Sequence, residues 1–168
     1  MRTFIAFTLK NESLSKVTKI QELIKHLNVN LVKKDNIHLT LFFFGNIEEE
    51  KIKLIIEIIK KIKFQDIELY GTKIIYLPNP KKVSVIALKF ETNNFLDEII
   101  NEYDKEIYNL GFKRDKKFLP HITIARVKNI IPLFNYKDKI KICINNIKLF
   151  KSELTQQGAV YTELFSYK

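Results

Sequence analysis

The sequence predicts a mixed fold of strands and helices, built from one strand–helix–strand unit that occurs twice. Strand-like apolar runs alternate with amphipathic helical stretches along the chain. A His-apolar-Thr-apolar run at 38–41 recurs at 121–124, 83 positions later, and the strand-like run at 3–7 aligns with 84–88 at an offset of 81. Because the two offsets nearly agree, we interpret the two halves as an internal duplication.

Hydrophobic periodicity and turn residues place the individual elements. In the first half we predict a strand at 3–9, a helix at 12–27, an extended piece at 31–32, a turn at 33–36, the first motif strand at 37–44 ended by Gly45 and Asn46, and a helix at 48–63. In the second half we predict an extended segment at 65–77, a turn at 78–80, a strand at 83–90, a helix at 93–110, the second motif strand at 118–127, and strands at 140–151 and 158–165. The apolar face of the first helix should contain Leu14, Val17, Ile20, Leu23, Ile24 and Leu27.

Length and composition exclude several classes of protein. A chain of 168 residues with 46% hydrophobic residues suits one domain with a sizeable core. No apolar run approaches the roughly eighteen residues of a membrane span, and the opening residues lack a secretory pattern, so we expect a cytoplasmic protein. The single cysteine, Cys143, excludes an internal disulfide, and the lack of clustered His, Cys or carboxylates argues against a structural zinc site.

The charge pattern predicts a polyanionic partner. The net charge is +10, although lysine is abundant throughout the chain and much of it is expected on the solvated surface. Arginine is rare, and only Arg2, Arg114 and Arg126 occur. A planar guanidinium suits bidentate contact with a carboxylate or phosphate. For Arg126, five positions after the second motif histidine, a surface salt bridge and a phosphate contact are equally open interpretations.

The repeated motif suggests acid–base chemistry on a phosphate ester. In a strand, residues i and i+2 share a face, so His38 lies beside Thr40 and His121 beside Thr123, while the intervening residues face the core. Two imidazoles can supply one base and one acid near neutral pH, and two hydroxyls can bind phosphoryl oxygens. The third histidine, His26, ends a predicted helix without a companion threonine, and we interpret it as structural or solvent-facing.

These residues also match the motifs of a known family. The run at 38–45 (His-Leu-Thr-Leu-Phe-Phe-Phe-Gly) and the run at 118–126 (Phe-Leu-Pro-His-Ile-Thr-Ile-Ala-Arg) resemble the RNA 2′,3′-cyclic phosphodiesterases of the 2H phosphoesterase superfamily, formerly called 2′-5′ RNA ligases. The resemblance spans nearly the whole chain. It implies an α+β fold in which residues 1–168 form a single domain of two pseudo-symmetric lobes with crossing strands, with antiparallel sheets lining a central groove and helices outside.

The resemblance further implies an activity and roles for five residues. The activity is hydrolysis of RNA 2′,3′-cyclic phosphate ends to 2′-phosphomonoesters, with reversible 2′-5′ RNA ligation as an accompanying reaction. His38 matches the proton donor and His121 the proton acceptor, while Thr40, Thr123 and Arg126 match phosphate-binding residues. No metal or other cofactor is implied. The expected partners are RNA ends or nucleotides, with no membrane, and the chain is expected to be a monomer.

Two alternatives stay open at this point. A related enzyme could use the same residues on a 2′-5′ linkage or on a small cyclic nucleotide. A non-catalytic relative could use the groove only to bind RNA or nucleotides. Two complete His-x-Thr pairs favour an enzyme, because binding an anion does not require two titrating imidazoles.

Overall fold

A computed structural model describes all 168 residues of the chain. Three helices and eight strands follow in an order that agrees with the sequence prediction: β1 (Arg2–Leu9), α1 (Asn11–Ile24), β2 (Asn30–Leu31), β3 (Leu39–Asn46), α2 (Glu49–Lys61), β4 (Ile67–Asn79), β5 (Lys82–Phe90), α3 (Asn94–Asn109), β6 (His121–Arg126), β7 (Ile140–Thr155) and β8 (Gly158–Tyr167). Short 3-10 turns at Lys25–Leu27 and Lys34–Asn36 lie before the first motif strand. None of the three helices has both the length and the apolar character needed to cross a membrane.

All strands belong to one antiparallel hydrogen-bonded sheet. Its order is β1-β3-β6-β5-β4-β7-β8, β2 pairs with β6, and β1 also pairs with β7. The additional β1–β7 pairing closes the path into a ring of six strands. The α+β prediction is confirmed, with one connected sheet forming the structure. The two motif strands, β3 and β6, are direct neighbours, with β1 and β5 on their outer sides.

The core explains which face of the motif strands is free for chemistry. Leu39, Leu41, Ile122 and Ile124 have no solvent exposure and belong to one hydrophobic cluster. Side chains alternate along a strand, so the histidines and threonines between these residues lie on the opposite face. Helix α1 packs on β6 and β7, while α2 contacts α3 and β8. The helices therefore support the sheet and leave the motif face open.

Three local predictions were wrong, each for a physical reason. Strand β3 does not end at Gly45, because this glycine adopts a φ of 72°, which costs little without a Cβ, and the pairing continues to Asn46 opposite Arg2. Strand β4 continues through Pro78, and the turn follows at 80–81. There the side-chain oxygen of Asn79 accepts hydrogen bonds from the backbone amides of Lys81 and Lys82 and stabilises the turn.

The third concerns the buried face of α1. Leu23 is 47% exposed, whereas Gln21 is only 5% exposed. Periodicity favours burying a leucine over a glutamine, but Gln21 finds backbone acceptors in the interior that satisfy its amide. The helix is therefore rotated slightly relative to the predicted face.

Candidate active site

The pairing of β3 with β6 brings the two motifs together. Leu39 lies directly opposite Ile122 in antiparallel register. This register places His38 opposite Thr123 and Thr40 opposite His121 on the groove face. Side chains directly opposite each other in such a pair have Cβ atoms about 5 Å apart. The four motif residues therefore form a compact group with each histidine between two threonines.

Both imidazoles are oriented by the same local hydrogen bond. Nδ1 of His38 lies 2.7 Å from the carbonyl oxygen of Asn36, and Nδ1 of His121 lies 2.7 Å from that of Leu119. A carbonyl oxygen only accepts, so Nδ1 carries the proton in each ring. Nε2 is then the atom available for proton transfer. Each histidine uses the carbonyl two residues before it, so the duplicated motif includes its own orienting bond.

His38 has a second polar contact and an aromatic cover. Its Nε2 lies 3.0 Å from Oγ1 of Thr40. Its ring packs against Phe4, Tyr161 and Phe150, with centroid separations of 5.0, 5.5 and 6.5 Å. The aromatic side chains exclude water from much of the imidazole.

This cover shifts the protonation of His38. Burial lowers the pKa of His38, and the hydrogen bond to the Asn36 carbonyl offsets part of that effect. Positive charge on His121 and Arg126 lowers the pKa further. His38 is therefore neutral at pH 7 in the free chain, with Nε2 as an acceptor facing Thr40.

A cavity of about 290 Å³ lies over the motif strands. Its floor includes His38, Thr40, Thr123 and Arg126. One wall comes from β2 and the residues after it, and another from the end of the β7–β8 hairpin; these walls include Asn30, Leu31, Val32, Lys33, Ser152, Leu154, Gln157, Gly158, Ala159 and Tyr161. His121 is partly exposed and lies on the same strand face as Thr123, but outside the lining of this cavity. Four of the five predicted site residues thus line one cavity. The fifth, His121, lies opposite Thr40 in the pairing of β3 with β6.

The three arginines have different environments. Arg114 forms a bidentate ion pair with Asp104 and lies over the rings of Phe42 and Phe118, so its role is structural. Arg126 lines the cavity and forms no ion pair. Its guanidinium is therefore available to an anion. Arg2 also lines the cavity, at the end opposite to the β2 wall, a placement that spacing alone did not predict.

Sequence reasoning missed a buried residue that supports the second motif strand. Nε2 of Gln21 donates to the carbonyl oxygens of Val32, at 2.8 Å, and Ile124, at 2.9 Å. One amide thereby joins α1 to the cavity wall and to the strand that carries Thr123. The available signal was a polar residue within the apolar spacing between Val17 and Ile24.

Taken together, the fold and the site define a class of protein. An antiparallel sheet presents two histidines whose Nε2 atoms are available, two threonine hydroxyls and an unpaired arginine. This set can transfer protons and bind an anionic tetrahedral group, which is what hydrolysis of a phosphate ester requires.

Comparison with known sequences identifies the family. Residues 9–87 and 91–161 match the family model described as LigT like Phosphoesterase, and each matched segment contains one His-x-Thr copy. The chain therefore belongs to the LigT-like phosphoesterase family, which confirms the resemblance seen in the motifs.

Individual relatives align with this chain over nearly their whole length. A protein of Methanocaldococcus jannaschii named RNA 2′,3′-cyclic phosphodiesterase is 35% identical over 170 residues, covering 96% of both chains. A protein of Thermotoga maritima with the same name is 30% identical over 181 residues, covering 98% of this chain and 94% of the relative.

Solved structures share the fold. A crystal structure of TT0787 from Thermus thermophilus superposes with a TM-score of 0.83 at 24% identity, covering 99% of this chain and 97% of that one. The structure of E. coli LigT complexed with 3′-AMP has a TM-score of 0.75 at 23% identity, covering 99% and 96% of the two chains.

Proposed function

We propose that this chain hydrolyses RNA 2′,3′-cyclic phosphodiester ends to 2′-phosphomonoesters by two-histidine acid–base catalysis without a metal. The observation that carries the proposal is the pairing of two His-x-Thr strands, in each of which Nδ1 of the histidine donates to a backbone carbonyl and leaves Nε2 for proton transfer. The names of the full-length relatives support the choice of substrate. We further propose that the chain works as a single cytoplasmic domain and a monomer, with each of two pseudo-symmetric lobes supplying one strand.

In the proposed reaction, Nε2 of His121 accepts a proton from water as the water oxygen attacks phosphorus. The bond between phosphorus and the ribose 3′ oxygen breaks, and Nε2 of His38 donates a proton to that oxygen. The phosphate stays on the 2′ oxygen. At the end of the reaction His121 carries the extra proton and His38 is neutral, and exchange with solvent restores the starting state.

Thr40, Thr123 and Arg126 have the proposed role of binding the phosphoryl group. Their side chains line the same cavity as His38. Hydroxyl and guanidinium donors stabilise the negative charge that increases on the non-bridging oxygens as the fifth bond to phosphorus forms. With an RNA 5′-hydroxyl in place of water, the same steps yield a 2′-5′ linkage, and we propose reversible ligation as a side reaction.

The lowered pKa of His38 is compatible with the proton-donor role. A bound phosphodiester is an anion, and negative charge beside the imidazole favours its protonated form. The departing 3′ alkoxide is far more basic than an imidazole, so proton transfer from the protonated Nε2 to that oxygen is favourable as the bond breaks. Because the site is nearly symmetric, the opposite assignment uses the same atoms, and mutant pH profiles distinguish the two.

The direct test is hydrolysis of a short RNA that ends in a 2′,3′-cyclic phosphate, in the presence of EDTA. We expect a 2′-phosphomonoester to form at an unchanged rate when the chelator is added. The matched control is His26→Ala, which alters an exposed histidine on the 3-10 turn after α1 and should leave the rate unchanged. A 3′-phosphomonoester product, loss of activity with EDTA, or cleavage only of an internal 2′-5′ linkage would contradict the proposal.

A further inference from the structure

A row of basic side chains begins at the second motif histidine and leads away from the cavity. His121 of β6 lies opposite Lys89 of β5, and Lys89 lies opposite Lys73 of β4. Side chains of directly opposite residues in an antiparallel pair extend from the same face of the sheet. The row His121–Lys89–Lys73 therefore continues the groove face across three neighbouring strands. No residue of β5 or β4 lines the cavity, so the two lysines lie outside it.

An irregularity in β4 places Lys73 on this face. Gly71 is buried, and strict alternation along the strand would turn Lys73 toward the same buried side. However, the register with β5 shifts between Gly71 and Lys73, which leaves Thr72 as an extra residue. After this bulge Ile74 takes the buried position, and Lys73 is exposed. The bulge thus directs a lysine to the groove face.

The two lysines have no partner of opposite charge. Neither forms an ion pair, whereas Lys141 and Lys148, elsewhere in the sheet, are paired with glutamates. Lys89 is also partly buried. Like charges directly opposite each other on neighbouring strands destabilise a sheet. A negatively charged ligand would remove this repulsion, so the pair points to an anion.

The proposed reaction defines which part of an RNA lies on this side of the phosphorus atom. In an in-line displacement, the attacking and leaving oxygens lie on opposite sides of phosphorus. His38 protonates the leaving 3′ oxygen, so the ribose of the cyclic phosphate lies on the side of His38, where the cavity is. The attacking group lies on the side of His121. In hydrolysis this group is water, and in ligation it is the 5′-hydroxyl of a second RNA strand.

We propose that Lys89 and Lys73 bind the first two internucleotide phosphates of the RNA strand whose 5′-hydroxyl attacks in ligation. This inference rests on the proposed function and assigns a binding site to the acceptor strand of its side reaction. Neighbouring strands lie about 4.8 Å apart, and lysine side chains are long and flexible, so the row can follow successive phosphates of one RNA strand. Contacts to phosphates carry no sequence information, so any acceptor sequence is accepted.

The ligation step balances in the same way as hydrolysis. The 5′ oxygen of the acceptor strand bonds to phosphorus, and its proton passes to Nε2 of His121. The bond between phosphorus and the 3′ oxygen breaks, and that oxygen takes the proton from Nε2 of His38. The product is a 2′-5′ linkage, with the acceptor strand still on the lysine row.

The test measures equilibrium binding of three probes that contain a 2′-5′ linkage, as the ligation product does. In each probe the nucleotide before this linkage lacks its 3′-hydroxyl, which is the nucleophile of the reverse reaction, so the probe is not cleaved. The short probe is a dinucleotide. The second probe extends it by two nucleotides on the 3′ side, toward the lysine row, and the third extends it by two nucleotides on the 5′ side. The two extended probes carry the same charge.

The lysine variants should weaken binding of the 3′-extended probe alone. We expect this probe to bind roughly threefold more weakly to Lys89→Gln and to Lys73→Gln than to the unmodified protein, and about tenfold more weakly to the double variant. The slope of log K against log salt should become smaller by about 0.7 for each lysine removed. The matched control is Lys53→Gln, which removes the same charge from an exposed position on α2 and should affect no probe.

Several outcomes would overturn the subsite. They are similar losses on the two extended probes, a loss confined to the 5′-extended probe, and unchanged binding of the 3′-extended probe to the double variant. Failure of the unmodified protein to bind the 3′-extended probe more tightly than the short probe would overturn it as well.

The outcome is separable from the proposed function, because binding of the probes requires no turnover. If the unmodified protein hydrolyses an RNA 2′,3′-cyclic phosphate and the lysines do not affect the 3′-extended probe, only the subsite is wrong. If the unmodified protein does not hydrolyse the cyclic phosphate, the proposed function fails, and the same binding measurements still decide whether the lysines hold a strand on the side of His121.

Discussion

The two His-x-Thr copies have the same local geometry and different surroundings. Both histidines donate from Nδ1 to the carbonyl two residues before them. Beyond that bond they differ, because His38 packs in a cluster of three aromatic rings, whereas His121 is partly exposed and lies opposite Lys89 of β5. The duplicated sequence thus forms two similar strands, and the chemical difference comes from what covers each one.

A single pair of equivalent positions accounts for much of the difference. On the strands that flank the motifs, Ala6 lies opposite Thr40 and Ala87 opposite Thr123, so the small residue beside each threonine is repeated. At the 81-residue offset, Phe4 corresponds to Val85. Phe4 packs on His38, and a valine has no aromatic ring with which to do so. Burial, to which the Phe4 ring contributes, lowers the pKa of His38.

The largest expected effect comes from removing either histidine. His38→Ala and His121→Ala should each lower kcat on an RNA 2′,3′-cyclic phosphate by on the order of a hundredfold or more, because each removes one proton-transfer step. The double variant should lose far less than the product of the two single losses, since the pair works as a unit. Steady-state kinetics of the three variants checks this. Multiplicative losses would show that the histidines act independently.

Removing a threonine hydroxyl from either motif should lower activity less than removing a histidine. Thr40→Val and Thr123→Val remove one hydroxyl each and should cost about 1–3 kcal/mol of transition-state stabilisation. Only Thr40 is hydrogen-bonded to a histidine, so Thr40→Val alone should also change the pH profile. Measurement of kcat/KM from pH 4 to 10 for both variants tests this. Identical profiles would mean that the contact between Thr40 and His38 has no influence on proton transfer.

Removing the hydrogen bonds by which Gln21 of α1 supports the second motif strand should have an intermediate effect. Gln21→Met keeps the side-chain volume and removes the two hydrogen bonds from Gln21 to the carbonyl oxygens of Val32 and Ile124. The carbonyl oxygen of Ile124 still accepts a hydrogen bond from the backbone amide of Val32. We expect a loss of about 1–2 kcal/mol in the free energy of unfolding, measured by urea denaturation. If the amide also positions Thr123, kcat should fall below that of the unmodified protein at temperatures where both are fully folded. The matched control is Leu23→Gln, an exposed change on the same helix.

The smallest expected effect is a shift in the titration of His38 itself. Because burial lowers the pKa of His38, an NMR titration of its imidazole in the free protein should give a value below the ordinary histidine value of about 6.5. Phe4→Val places the residue of the equivalent second-half position beside the ring and removes the aromatic contact. Less burial raises the pKa of His38, so its titration should move to higher pH. A titration that stays in place would mean that the Phe4 ring does not control the pKa of His38.

The sequence by itself determined the parts that depend on local pattern. Alternation of side chains along a strand predicted that Leu39 and Ile122 face the core and that the histidines and threonines face outward, and the structure confirms the buried face. Helical periodicity located all three helices to within a few residues. The recurrence of the motif predicted that the two strands belong together, and they are direct neighbours in the sheet.

Only the tertiary structure decided which residues surround each copy. Phe150 and Tyr161 cover His38 because β7 and β8 follow β1 in the sheet, a pairing between segments more than a hundred residues apart in the chain. Gln21 is buried because the carbonyl oxygens of Val32 and Ile124 accept hydrogen bonds from its amide. Phe43 faces the groove because two register shifts between β1 and β3 change the direction of the side chains on β3. Periodicity records which face of an element is apolar, but not which distant segment packs on it. The two histidines are therefore equivalent in the sequence and different in the folded protein.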